Sequence, residues 1–320
     1  MALHMSRKII IDTDPGQDDA VAILLALASP EEIDVLGIVA VAGNVGLKQN
    51  AKNALKVVEV SGLIDTPVYA GCERPIRREL VTAEYVHGDT GLDGPTLPEP
   101  KITLQEQHGV DYIIEALRTH ESGTITLCPL GPLTNIAMAM IKAPDIIERI
   151  GEIVLMGGAY FEVGNATPAA EFNIYVDPEA ADIVMRSGVK ITMVPLDVSH
   201  QILTTDQRVK SLRELGNRTG VVVAEMIDFF ERFDEDKYGW DGAPLHDPCV
   251  IAYLLQPDLF GGRQINVQIE TGSELTMGMT VADYWGITDP EKCPRNVMFL
   301  RHANADGFYD LLEQRLARLP

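Results

Sequence analysis

Lys8-Ile9-Ile10-Ile11-Asp12-Thr13 runs straight into Asp14-Pro15-Gly16-Gln17-Asp18-Asp19, and residues 18–28 then continue as an apolar-rich stretch. A β-branched run of this length reads as a strand buried on both faces. The apolar segment behind it reads as a helix, and Pro15-Gly16 forces the turn between them. This strand–turn–helix unit recurs along the chain. Residues 33–41, 66–69, 124–128, 153–156 and 191–195 carry strand patterns. Residues 46–61, 110–119, 133–141 and 178–186 carry helical ones. Strands alternating with helices predict an α/β fold with a mainly parallel central sheet flanked by helices. Further on, residues 204–215, 221–233 and 248–255 read as helices, and 264–270 with 275–280 as a strand pair. With no low-complexity linker or internal repeat, the expectation is one α/β domain over 1–320 with additional C-terminal helices. Met1–Met5 (MALHM) reads as a cloning remnant or a disordered start, with Met5 as the native initiator.

Composition narrows the function. The 320 residues are 46% hydrophobic and 23% charged, ordinary for a globular chain. Lys+Arg number 26 against 47 Asp+Glu, a net charge of −21. So acidic a chain repels phosphate backbones and anionic lipid, so neither nucleic acid nor membrane is expected as a partner. Four cysteines without a C-x-x-C pair suggest neither a zinc site nor a disulfide framework. No secretory h-region opens the chain, and a cytoplasmic location is expected.

The acidic segment carries the chemistry. Asp12, Asp14, Asp18 and Asp19 fall within eight residues, where a strand ends and a helix begins. Ligands of open α/β sheets bind at the carboxyl ends of strands. Like charges so close need a cation or shared protons, and a hard divalent ion such as Ca²⁺ suits an irregular carboxylate cage. Any one of these aspartates could merely cap the helix or favour its positive end. Four together favour the metal. An EF-hand is excluded because Ile23 would occupy its twelfth position and Pro15 would break the loop. A phosphotransferase using Asp12 or Asp14 as nucleophile remains the alternative on these residues alone.

The D-x-D-P-G-x-D-D segment at 12–19 resembles the inosine–uridine-preferring nucleoside hydrolases. Four further segments match that family in order: Gly43-Asn44; Leu130-Gly131-Pro132-Leu133-Thr134-Asn135; Glu171-Phe172-Asn173 with Asp177-Pro178-Glu179-Ala180; and His246-Asp247-Pro248. The resemblance implies a Rossmann-like nucleoside hydrolase fold and a ribonucleoside substrate cleaved to ribose and free base. It implies Ca²⁺ held by Asp14, Asp19, Asp247 and the main-chain oxygen of Leu130, where relatives often carry Thr or Val. It makes Asp14 the base that deprotonates the attacking water. Asp18, Asn44, Asn165, Glu171, Phe172 and Asn173 become sugar-binding positions, with Met156 packed beside the ribose. His246 matches the residue near the departing base and is the expected leaving-group acid; His87 matches a second pocket histidine. Purine-preferring relatives place a tryptophan where this chain has His246. Tyr238 falls where pyrimidine-preferring relatives use a tyrosine, and 234–240 (DEDKYGW) is expected to form a mobile lid, with Trp240 stacking on the base or anchoring that lid. A homodimer or homotetramer is implied as well.

Simpler readings compete for several of these residues. Asp177-Pro178 and Asp247-Pro248 both read as an N-cap followed by proline at the first helical position. Asp177 is taken as a cap only, whereas Asp247 beside His246 is assigned to the site. Against hydrolysis of nucleosides stand a metal-dependent phosphohydrolase, disfavoured by the absence of a P-loop, and a nucleoside-binding protein without turnover.

Overall fold

The computed structural model describes residues 6–320; the side chains of residues 231 and 233–238 are outside the described residues. The expectations for Met1–Met5 and for the Tyr238 side chain therefore fall outside what is described. The strands in chain order are β1 (Arg7–Thr13), β2 (Ile33–Ala40), β3 (Val68–Ala70), β4 (Ile125–Pro129), β5 (Ile150–Met156) and β6 (Ile191–Val194). There follow the short pair β7 (Leu203–Thr204) and β8 (Ala243–Pro244), then β9 (Phe260–Ile269), β10 (Thr280–Asp283) and β11 (Val297–Ala303).

Nine of them form one sheet in the order β3-β2-β1-β4-β5-β6-β11-β9-β10. Every pairing from β3 to β11 is parallel, and β9 joins β11 and β10 antiparallel. Side chains alternate across the sheet. Ile9 and Ile11 face the helices Gln17–Leu27, Arg218–Tyr238, Pro248–Leu255 and Ala305–Leu316, while Ile10 faces Gly109–Thr119, Thr134–Lys142 and Pro178–Met185. Burial on both faces explains the unbroken isoleucine run. The strand order reverses between β1 and β4, and at such a switch point the connections leave in opposite directions and open a crevice.

Three predicted elements are corrected. The first helix is Gln17–Leu27, one residue earlier than its pattern suggests, and its N-cap is Gly16; the Gly16 N–H is bonded by Asp19 Oδ2 at 3.0 Å. Asp18 therefore lies in the first turn and is not the N-cap. The helix expected over 221–233 is Arg218–Tyr238, so most of the stretch read as a loop lid continues a helix. The expected strand pair at 264–270 and 275–280 is β9 with β10, in which Thr280 opposes Ile269. Moreover, β11 and the helix Ala305–Leu316 lie beyond every predicted element, so the C-terminal third extends the sheet as well as adding helices. No helix among the described residues is long and apolar enough to cross a membrane.

Candidate functional site

The carboxyl ends of β1, β4, β5 and β6 deliver the loops that line one cleft, enclosing about 710 Å³ of space including its open mouth. Asp14, Asp18, Asp19 and Asn44 lie at one end with Leu130, Met156, Glu171, Asn173 and Asp247; among the described residues no lysine or arginine lines it. The segment after β1 is built around Asp19. Its Oδ1 accepts from the Thr13 hydroxyl and from Asp14 N–H at 3.3 Å, and its Oδ2 from Gly16 N–H and Asn44 Nδ2 at 3.3 Å. Asn44 closes the opposite side: its N–H donates to Asp14 Oδ2 at 2.7 Å and its Nδ2 to the Asp14 carbonyl at 3.0 Å.

Asp18, Asp19 and Asp247 each bring a carboxylate oxygen within 4.8 Å of the others, all buried. Asp247 comes from far along the chain and heads the helix Pro248–Leu255, yet its side chain makes no capping bond. Asp177, in the same Asp-Pro context, does cap: its Oδ1 accepts from Ala180 N–H at 3.1 Å, and its Oδ2 takes Thr134 Oγ1 at 2.7 Å. The two Asp-Pro aspartates thus differ in bonding: one caps its helix and the other does not. The convergent trio contains Asp18 in the place expected for Asp14, which sits against Asp19 under Asn44. The Leu130 carbonyl, expected to face an ion, accepts Asn173 Nδ2 at 2.6 Å.

Burial, reinforced by the Asp19 charge, pushes the Asp18 carboxyl up to about 8. Burial likewise holds Asp14 well above the usual carboxylate range, with Asp19 and Asp18 adding to it, and does the same to Asp247 beside Asp18, Asp19 and Asp14. Four buried acids, with no basic side chain lining the cleft among the described residues, require compensation by protons or by a cation. An all-oxygen donor set of hard carboxylates fits a divalent ion of the calcium type. Beneath them, Asp12 is also raised to about 8 by burial; Asn135 Nδ2 donates to its Oδ2 at 2.7 Å while its Oδ1 has no partner.

The residues expected to hold the sugar line the cleft, and several of them are engaged in bonds within the protein. Glu171 caps the short helix Phe172–Val176, accepting from Asn173 N–H at 2.8 Å, Ile174 N–H at 3.2 Å and Gly158 N–H at 2.9 Å. Asn165 Oδ1 accepts from Phe172 N–H at 2.9 Å, and Asn173 Nδ2 reaches the Met156 sulfur at 3.4 Å. Both residues line the cleft, as do Phe172 and Met156.

The other half of the cleft is a chamber of rings. His87 packs against Phe230 at 5.5 Å between centroids, Phe230 against His246 at 6.5 Å, and His246 against His200 at 6.0 Å. Trp240 meets His200 edge-on at 4.7 Å. Burial lowers His87 to about 4 and His246 to about 3, with His200 and His87 adding to the latter. His87 Nδ1 bonds Gln17 Oε1 at 2.7 Å, and His246 Nδ1 bonds Ser199 Oγ at 2.7 Å. Tyr85, His200 and Phe230 line the cleft without having been singled out by sequence. His200 had a legible signal, since it follows the carboxyl end of β6 as Asp14 follows that of β1; Phe230 reads only as one more apolar helix position.

A family model described as "Inosine-uridine preferring nucleoside hydrolase" matches residues 9–310. The chain belongs to that family. It is an enzyme, a hydrolase acting on nucleosides. This nucleoside hydrolase is 49% identical over 314 residues to the pyrimidine-specific ribonucleoside hydrolase RihA of Photobacterium profundum, covering 98% of this chain and 99% of that one. It is 53% identical over 313 residues to an uncharacterized protein of Schizosaccharomyces pombe, at 98% and 100% coverage. Among solved structures, the purine-preferring ribonucleoside hydrolase from Gardnerella vaginalis superposes with a TM-score of 0.90 at 34% identity, covering 97% of this chain and 98% of that one. The mostly parallel sheet flanked by helices is thus the architecture of known nucleoside hydrolases.

Proposed function

We propose that this nucleoside hydrolase cleaves the N-glycosidic bond of ribonucleosides, pyrimidine ribonucleosides foremost, at a centre that carries Ca²⁺. The observation that carries the reading is the buried cluster of Asp14, Asp18, Asp19 and Asp247, without a basic partner among the described residues lining the cleft, at the foot of an aromatic and histidine chamber. Asp14, Asp19, Asp247 and the Leu130 carbonyl would hold the ion, with Asp18 beside them. When bound, a hard divalent ion supplies the positive charge these acids lack and makes neighbouring water more acidic.

The side chains account for the remaining steps. Asp14, steadied by Asn44, accepts a proton from the attacking water, a role worth about 10²–10⁴ in rate. The water oxygen bonds to the anomeric carbon as the carbon–nitrogen bond breaks. Its electron pair leaves with the base, which must then gain a proton. Asp18, Asn44, Asn165, Glu171 and Asn173 hold the ribose hydroxyls, and Met156 packs beside the ring, which fixes the reacting carbon against the water. His87, Phe230 and His246 enclose the base. Pyrimidine preference rests on the pyrimidine-specific relatives at nearly half identity and on His246 standing before Asp247. Self-association is implied by the family resemblance, and the exposed rings of Phe161 and Trp285 offer apolar surface for it.

A panel of uridine, cytidine, inosine, adenosine and guanosine, assayed for free base in Ca²⁺, tests the reading. Uridine and cytidine should give the highest kcat/KM, and 2′-deoxyuridine should react more slowly by about 10² or more because the hydroxyl-binding groups are left unpaired. Asp14→Asn should fold normally and lose at least about 10² in kcat. Phosphate release from nucleotides with no free base from any nucleoside would refute the assignment.

A further inference from the structure

Among the acids of the turn after β1 stands one neutral polar side chain, Gln17. It is buried, and both ends of its amide are engaged by the segment that carries His87. Gln17 Nε2 donates to the His87 carbonyl and to the Asp93 carbonyl, each at 3.0 Å. Those two bonds use both amide protons and fix the orientation of the amide, because the reverse would set Oε1 against two carbonyl oxygens. Oε1 is therefore the atom that meets His87 Nδ1 at 2.7 Å. An amide oxygen only accepts, so Nδ1 carries a proton.

The ring is also confined. A Cβ at Gly16 would come within 2.5 Å of His87 Nδ1 and 2.8 Å of its Cε1, so only glycine lets the ring lie against the turn. Phe230 stacks on it at 5.5 Å between centroids. His87 is buried, and burial lowers its basicity to about 4, so near neutral pH the ring holds a single proton. With that proton on Nδ1, Nε2 is an acceptor. No described residue hydrogen-bonds Nε2, and the ring lines the cleft. Asn53 ties down the same segment through backbone alone, its Nδ2 donating to the Pro15 carbonyl at 3.0 Å and the Thr90 carbonyl at 2.8 Å.

We infer that Gln17 is a positioning residue: it holds His87 as the Nδ1–H tautomer and so presents Nε2 to the substrate as an acceptor for one N–H or O–H group. This rests on the ribonucleoside reading above, under which the two donors available are N3–H of a uracil base and the 5′-hydroxyl of the ribose. One amide thereby couples the acidic turn to the wall of the base chamber. An apolar side chain in place of Gln17 would leave the Nδ1 proton without an acceptor. The ring would then take the Nε2–H form and turn a donor toward the donor of the substrate.

Two-bond ¹H–¹⁵N spectra of the Ca²⁺-loaded protein, labelled with ¹⁵N-histidine, read the tautomer of each ring; the His87 signals are those missing from His87→Asn. Wild type should show the Nδ1–H pattern at His87. Gln17→Leu, and Gln17→Met as a second variant of similar length, should show the Nε2–H pattern, while Asn53→Ala should keep the wild-type one. In turnover, wild type should disfavour 3-methyluridine or 5′-deoxyuridine against uridine by about tenfold or more in kcat/KM, the size of one hydrogen bond left unmade in a buried site. The analogue that carries the penalty names the donor. Both Gln17 variants should shrink that ratio to within about threefold, and Asn53→Ala should preserve it. An Nε2–H pattern in wild type, an unchanged tautomer in the Gln17 variants, the same changes in Asn53→Ala, or both analogues reacting as uridine does would overturn the proposal. Release of free base from no nucleoside would instead overturn the ribonucleoside reading, with the ring spectra still deciding whether Gln17 sets the tautomer.

Discussion

Stripping the metal should make the protein progressively less stable as pH rises, and the size of the effect follows from Asp18. Its carboxyl titrates near 8 in the metal-free fold against 3.8 as the ordinary value, because burial and the neighbouring Asp19 disfavour its charge. A carboxyl with a raised folded-state pKa binds more protons folded than unfolded. Its stabilising share is therefore complete at low pH and lost as pH climbs from about 4 through about 8. Between pH 5 and pH 8 one such group costs about 4 kcal/mol, at about 1.4 kcal/mol per unit. For 320 residues the unfolding entropy near the midpoint is about 0.7 kcal/mol/K, so Asp18 alone lowers Tm by about 6 °C over that interval. Asp14 and Asp247 shift in the same direction and add to it. A divalent cation bound among these carboxylates would keep them ionised, so the loaded protein should lack this loss. Asp12 is not among the convergent carboxylates Asp18, Asp19 and Asp247, so its raised pKa is expected to act alike in both forms and to cancel in the difference. Scanning calorimetry in saturating Ca²⁺ and after chelation should show the Tm gap widening by at least about 6 °C from pH 5 to pH 8. A gap that stays constant or narrows would remove the argument that these acids need a cation.

Two further substitutions probe the scaffold. Asn135 donates to Asp12 at 2.7 Å and to the Ala40 carbonyl at 3.2 Å and accepts from Cys72 N–H at 2.7 Å, which ties the ends of β1 and β2 to the loop after β3. Asn135→Ala should cost about 3–5 kcal/mol by stranding buried polar groups, read as a lower urea midpoint at unchanged m; a loss under about 1 kcal/mol would contradict that role. At Gly131 a Cβ would collide with Asp14 Oδ1 and come within 2.8 Å of its Cγ. Gly131→Ala should therefore displace the proposed base and lower kcat by about 10² with little change in Tm, and unchanged kcat would show that Asp14 is not where turnover is decided.

Much of the architecture was legible because parallel strands buried on both faces leave unbroken apolar runs, as in Ile9–Ile11 and residues 153–156 of β5. The reading stopped at residue 280, because β11 mixes Arg301 and His302 with apolar residues and sits beside an antiparallel neighbour. The long helix through Tyr238 was shortened in the reading because its final turns are charged, and local polarity resembles that of a loop. At the site, ordered motifs located Asp14, Asp19, Asn44, Glu171, Asn173, His246 and Asp247 in the chain. They also assign Asp247 to the site and Asp177 to a cap, without showing the difference in bonding that separates the two. Asp177 spends its carboxylate on backbone and Thr134, whereas Asp247 makes no capping bond, and that difference is one of side-chain direction.

By itself, then, the order of residues determined a parallel α/β sheet and an acidic turn after its first strand, since both depend on neighbours only a few positions apart. Tertiary structure alone decided that Asp247 meets Asp18 and Asp19, that Asp14 lies under Asn44, and that Gln17 meets the His87 ring. The reason is physical: the charge of a buried acid or the basicity of a buried ring depends on what lies within a few ångströms, and here those neighbours come from strands far apart in sequence.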